Sequence, residues 1–570
     1  MQVFYSCKMC KLLGFVLVIA AWSTLGLANP QTPVVQTKFG PVQGLINTTA
    51  WHSIPYSSFR GIPYAEPPLG NLRFKPPVPK TPWTEVLNCS TQTTTCPQID
   101  LYTLQHMGHE DCLHMNVYTP EVNFTDDMPL RPVMVWFFGG SYTWGYDNSS
   151  FYGPEYLLED DVVLVVPNFR MGALGYLYLN ISGAMGNAAL KDQRLVLSWV
   201  RENIALFGGN PDNVTIFGES SGSSSVLLHD LSDYNPAVQA NYSRSIAQSG
   251  SPLFFALFHT PTQAYQTATN LASLLGIDTS SPEAMLEGFL QANADDMVNW
   301  AFLMDIYPGT FGLPIRPTVE TAALAESPDQ VFLSECPITR LLTGDYRKHD
   351  VMLGFTNAEL LNFLGILYGV ANVTAVLQDI LNPTNSFNLN SSYASIENLG
   401  KFSSDLTMVP SIDYHERLLA AANNDDFNIY YYQLSYESPY AMHQITGVAS
   451  TDATTHFDDV GLLWDVDLMN QPTDPNDEFN VFRAQFIKLW TNFARYGNPT
   501  PDNDNPISPV VWEPAGTTGR QLNITKSSQM VDRAVPLDSE IVERIMNLLV
   551  PSTSGCVNVV SNNFTNLFSN

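Results

Sequence analysis

Positive charge is scarce in this sequence of 570 residues: 26 Lys and Arg stand against 55 Asp and Glu, a formal net charge of −29. So acidic a surface repels phosphate backbones, and no nucleic acid partner is expected. Gly/Ser-rich runs of linker length, long charge blocks and internal repeats are also missing, so no linker divides the chain. Long apolar runs are nearly absent. The one stretch near the N-terminus, Leu12 to Ala21, is too short to span a bilayer comfortably. The polar C-terminus carries no lipid-anchor tail, so no stable membrane insertion is expected. Ligand clusters with metal-binding spacing are lacking too, and neither metal nor cofactor is expected.

What remains is a chain with 45% hydrophobic residues spread from end to end. That distribution suggests one large globular unit, residues 29–570, with insertions on its loops. Lys8 and Lys11 precede the short apolar run, and Gly26-Leu27-Ala28 follows it with small residues at the cleavage-determining positions. Residues 1–28 therefore read as a signal peptide, cut after Ala28, and the protein as secreted. Sequons at Asn47, Asn123, Asn180, Asn372 and Asn523 agree with export and glycosylation. Removing the leader leaves Cys89, Cys96, Cys112, Cys336 and Cys556. In an oxidising compartment that odd number predicts one or two disulfides and a leftover thiol.

Chemistry first shows at residues 212–222. Val214 to Phe217 is a short β-prone apolar run, fit for a buried strand. It enters Gly218-Glu219-Ser220-Ser221-Gly222, a G-x-S-x-G elbow, and Ser223 to Asp230 reads as the following helix. Such a turn strains the serine backbone, and glycines on either side avoid a steric clash. It leaves the Ser220 hydroxyl exposed at a helix N-terminus, with the Ser221 N–H aimed where an oxyanion forms. Arg131 to Phe138 is another apolar strand and ends in Gly139-Gly140-Ser141-Tyr142, a loop able to turn N–H groups inward. A third strand, Asp161 to Pro167, and a helix over Lys191 to Leu206 complete an alternation that predicts a mostly parallel sheet covered by helices.

These segments resemble the type-B carboxylesterase/cholinesterase family, which has the α/β-hydrolase fold. The likeness extends to Phe59-Arg60-Gly61-Ile62-Pro63-Tyr64-Ala65-Glu66-Pro67-Pro68, Glu110-Asp111-Cys112-Leu113-His114-Met115-Asn116-Val117, Phe207-Gly208-Gly209-Asn210-Pro211 and Trp490-Thr491-Asn492-Phe493-Ala494. The resemblance implies a triad in the order Ser220, Glu359, His456. Glu359 follows the strand-like Val351 to Thr356, and His456 has acidic residues close behind, which His443 lacks. It also implies oxyanion donors at Gly140, Ser141 and Ser221, a Cys96–Cys112 disulfide, and a buried ion pair between Arg170 and Asp192. Cys89, Cys336 and Cys556 are not placed by it. Histidines 106, 109, 229 and 349 read as surface or loop residues.

The implied activity is hydrolysis of small-molecule or lipid carboxylic esters through an acyl-enzyme on Ser220. Two other readings are a lipase or sterol esterase acting on long-chain esters, and a non-catalytic binding or adhesion protein. The chain keeps Ser220, Glu359 and His456 together, whereas the adhesion relatives typically lack the nucleophile. Four positions depart from the family pattern: Phe138, Ser141, Ser221 (usually Ala) and Phe457 (usually Gly). No tryptophan lies between Cys96 and Cys112, which argues against choline esters unless another aromatic such as Tyr102 substitutes.

Overall fold

The computed structural model describes residues 29–100, 103–233, 242–254, 256–306, 314–361, 401, 404, 408–423, 426–441 and 453–534. The expected signal peptide, Tyr102, the sequon at Asn372, His443 and Cys556 lie outside the described residues.

The principal feature is an 11-stranded sheet. In chain order its strands are β1 (Leu45–Thr48), β2 (Pro55–Pro63), β3 (His114–Thr119), β4 (Arg131–Phe137), β5 (Val163–Pro167) and β6 (Gly209–Glu219). β7 (Arg244–Gln248), β8 (Asp350–Thr356), β9 (Ile429–Leu434), β10 (Gln521–Ile524) and β11 (Gln529–Val531) follow. Across the sheet they lie in the order β11-β10-β9-β8-β7-β6-β4-β5-β3-β2-β1. Every pairing from β5 through β10 is parallel. The pairings at both edges are antiparallel.

The parallel centre explains the unbroken apolar runs in the sequence. A parallel strand is covered on both faces, so alternation gives way to continuous hydrophobicity. Val133 to Phe137 of β4 and Val163 to Pro167 of β5 are buried throughout. Helix α1 (Ala188–Asn203) packs on β6, and α2 (Ser221–Asp230) packs on β6 and β7. α3 (Met408–Ala422) packs on β8 and β9, and α4 (Glu478–Tyr496) on β4 and β6. On α4 the residues Phe479, Phe482, Phe486, Leu489 and Phe493 recur at three- and four-residue spacing and are all buried. Each contributes about 1.5–3 kcal/mol by leaving water. Asp477 accepts from the Phe479 N–H to start this helix, and Gly497, at φ 71°, ends it.

Two elements depart from the sequence-based expectation by more than two residues at an end. Helix α1 begins at Ala188 and yields after Asn203 to a 3-10 turn, Ile204–Phe207, closed by Gly208 at φ 77°. β6 starts at Gly209 rather than Val214, because its register against β4 shifts between those two residues and only the later part is regular.

Parallel strands put their carboxyl ends on one edge of the sheet. Phe137, Glu219, Gln248 and Thr356 end β4, β6, β7 and β8 there, so the loops that follow them converge. Ligand sites of open α/β sheets form outside that edge.

Candidate active site

Ser220 stands between β6 and α2 with φ 60° and ψ −125°, a backbone state that L-residues rarely adopt. Its N–H donates to the Gln248 carbonyl at 2.8 Å, fixing the turn against the end of β7. Gly222 permits the close approach behind it: a Cβ there would lie 1.9 Å from the Phe137 carbonyl oxygen. Gly139 is equally constrained, since its Cβ would come within 2.7 Å of the Glu219 carboxylate and 2.9 Å of Ser220 Cβ. These contacts put the glycine loop after β4 directly beside the elbow.

That loop runs through three successive left-handed residues, Gly140 (φ 115°), Ser141 (φ 54°) and Tyr142 (φ 59°). Tyr142 donates its N–H to Ser221 Oγ at 3.1 Å, tying the loop to the first residue of α2. Among the described residues, the N–H groups of Gly140, Ser141 and Ser221 have no protein acceptor. They are three main-chain donors beside Ser220 that remain available for an anion.

Glu359, just beyond β8, is fully buried and accepts from the Thr356 N–H at 2.7 Å. Its second oxygen lies 2.7 Å from His456 Nδ1. The other ring nitrogen, Nε2, lies 3.1 Å from the Glu219 carboxylate, which brings His456 to the elbow itself. The structure thus gathers Ser220, Glu359 and His456 at one edge of the sheet, with Gly140, Ser141 and Ser221 around them.

The same geometry shows two groups to which sequence reasoning gave no part. Glu219, the variable residue inside the elbow motif, faces His456. Asp459, three residues past that histidine, is buried and accepts from Gln248 Nε2 at 2.7 Å. Burial disfavours charge on His456, but Glu219, Glu359 and Asp459 outweigh it and raise the imidazole to about 9. Burial pushes Glu219 well above the usual carboxylate range, against the pull of His456 and with help from Asp459 and Glu359. Asp459 is pushed up to about 7, by burial first.

The four departures lie in or beside this site. Phe138 is buried and stacks on Phe169 at 4.2 Å. Phe457 holds φ 78°, a conformation that costs a non-glycine residue about 1–2 kcal/mol, and packs against Phe151 at 5.4 Å. Further out, Arg170 Nε and Nη2 donate to both oxygens of Asp192 at 2.8 and 2.6 Å, and the pair is buried. Arg170 also donates to the Arg73 carbonyl at 3.0 Å, and Arg73 in turn grips Glu110 through two hydrogen bonds. Cys96 and Cys112 are joined, Cys336 is also disulfide-bonded, and Cys89 is a buried free thiol.

Two histidines correct the sequence reading. His229 and His349 are not surface residues. His229 is buried, stacks on Phe137 at 5.2 Å and contacts Gln193 at 3.1 Å. The His349 side chain, only 7% exposed, lies 3.3 Å from Asp230.

A strained serine elbow at the carboxyl edge of a mostly parallel sheet is the architecture of the α/β-hydrolases. The sequence matches the Carboxylesterase family over residues 31–394 and 371–536, and the chain belongs to that family of carboxylic ester hydrolases. Juvenile hormone esterase of Tribolium castaneum is 30% identical over 91% of this chain and 93% of its own length. A carboxylic ester hydrolase of Bombus ignitus is 30% identical over 86% and 88%. Esterase B1 of Culex pipiens is 39% identical, but the match spans only 57% of this chain and 59% of that relative. Among solved structures, juvenile hormone esterase from Manduca sexta with OTFP covalently attached aligns with a TM-score of 0.76. The two share 25% identity over 91% of this chain and 99% of the other.

Proposed function

We propose that residues 29–570 form one secreted serine hydrolase that cleaves carboxylic esters through an acyl-enzyme on Ser220. The contact that carries the reading is the 2.7 Å hydrogen bond between Glu359 and His456 Nδ1, which leaves Nε2 at the elbow. In its neutral form the imidazole takes the Ser220 proton as Oγ attacks the ester carbonyl. Glu359 holds the tautomer and stabilises the imidazolium that forms. The N–H groups of Gly140, Ser141 and Ser221 receive the oxyanion, each worth roughly 3 kcal/mol of barrier. His456 then protonates the departing alcohol and activates the water that releases the acid. The residues supply every proton transfer, so the route draws on no cofactor.

Secretion is supported by the leader-like residues 1–28, the recurrent sequons and the disulfides at Cys96–Cys112 and Cys336. Among the described residues no helix is long and apolar enough to cross a membrane.

Purified protein should hydrolyse p-nitrophenyl acetate, butyrate or palmitate, and the profile across the three separates a carboxylesterase from a lipase. A folded protein inactive on all three would instead favour the binding-protein reading.

A further inference from the structure

We infer that the Ser221 hydroxyl is a positioning group that locks the oxyanion loop in its donating conformation. The inference rests on the ester-hydrolase reading of Ser220 and adds a role for a side chain outside the triad. Left-handed backbone at two consecutive non-glycine residues, Ser141 and Tyr142, is disfavoured and persists only where neighbouring groups hold it. Several hydrogen bonds do so, among them one that Thr143 Oγ1 donates to the Ser141 carbonyl at 3.1 Å. Thr143 and Trp144 donate to the Gly140 carbonyl at 2.9 and 3.1 Å, and Gly172 donates to the Tyr142 carbonyl at 2.7 Å. A further one runs from the Tyr142 N–H to Ser221 Oγ at 3.1 Å, and it joins the loop's main chain to the first residue of the helix after Ser220.

Ser221 is 2% exposed and Tyr142 1%, so water does not readily replace that bond. Alanine, the residue the family resemblance leads one to expect here, has no acceptor to offer. In this chain Ser221 therefore links the two halves of the oxyanion hole: its own N–H on one side and, through its hydroxyl, the N–H groups of Gly140 and Ser141 on the other. The hydroxyl and the left-handed Ser141 belong together. A glycine at 141 accepts positive φ freely and has less need of the tie.

The test compares wild type, Ser221→Ala, Ser141→Gly and the double variant, with kcat and KM on p-nitrophenyl butyrate. The affinity of an aliphatic trifluoromethyl ketone is measured alongside, since its carbonyl carbon takes Ser220 Oγ and its oxygen becomes an oxyanion in the hole. Ser221→Ala is expected to lower kcat about 10-fold and ketone affinity by a similar factor, with KM changing less than about twofold. In the Ser141→Gly background the same substitution should cost no more than about threefold. Wild-type kcat and ketone affinity in Ser221→Ala overturn the proposal, and so does an equal loss in both backgrounds. Ser221→Cys keeps the side chain's size but accepts weakly, and gives the same reading where the alanine variant is not recovered folded. Ser220→Ala separates the two levels of failure. Residual activity there removes the reading of the site, whereas silence there with an unaffected Ser221→Ala removes only the tie.

Discussion

The Glu219 carboxylate stands 3.1 Å from Nε2 of His456, so the residue just before Ser220 faces the proposed base. Glu359 holds the opposite side of the ring. Carboxylates on both sides of one imidazole raise its affinity for a proton, while the proposed base must be neutral to take the Ser220 proton.

Glu219→Gln should therefore move the acid limb of kcat/KM to lower pH. Removing a negative partner lowers the His456 pKa from its raised value of about 9, so the neutral base persists further into acid. A pH profile from 5 to 10 checks the direction. An unmoved or upward-shifted limb contradicts the account.

Ser141→Gly should change selectivity across an ester series by a few-fold while leaving stability nearly unaltered. The Ser141 Cβ narrows the space beside the oxyanion, and the residue lies in a loop rather than the core. Unchanged relative rates on acetate, butyrate and hexanoate esters would sink this expectation.

Asp192→Ala should destabilise the fold by about 3–5 kcal/mol, because it leaves the buried Arg170 guanidinium without its counter-ion. Urea denaturation of the variant beside wild type measures the loss, and a difference below about 1 kcal/mol would show the pair to be dispensable.

Cys89 should resist alkylation in the native protein and react once it is unfolded without reductant. Burial pushes its thiol up to about 12 and keeps reagents out. Non-reducing peptide mapping should find Cys96 bound to Cys112. Rapid labelling of native Cys89, or free Cys96, would contradict the structure.

The sheet and the elbow were the most legible parts of the sequence. β4, β5 and β8 are continuous apolar runs because both their faces are covered, and the elbow announces itself through the glycines that its turn requires. Glu359 and His456 are another matter. They meet across 97 residues of sequence, so no local pattern joins them, and only the family likeness singled them out. Glu219 and Asp459 are plain carboxylates until the fold turns both toward the same ring. His229 and His349 looked like surface residues because their partners, Gln193 and Asp230, arrive from other elements. The Tyr142–Ser221 hydrogen bond was equally hidden, since the sequence shows a serine in place of alanine but not what its hydroxyl holds.

The most direct test of the central claim is mapping the site of attack by a fluorophosphonate, which phosphonylates an activated serine and loses fluoride. The account predicts one adduct, on the peptide carrying Ser220, with esterase activity lost in step and no labelling in Ser220→Ala. Ester hydrolysis that survives complete labelling, or an adduct on another serine, would contradict it.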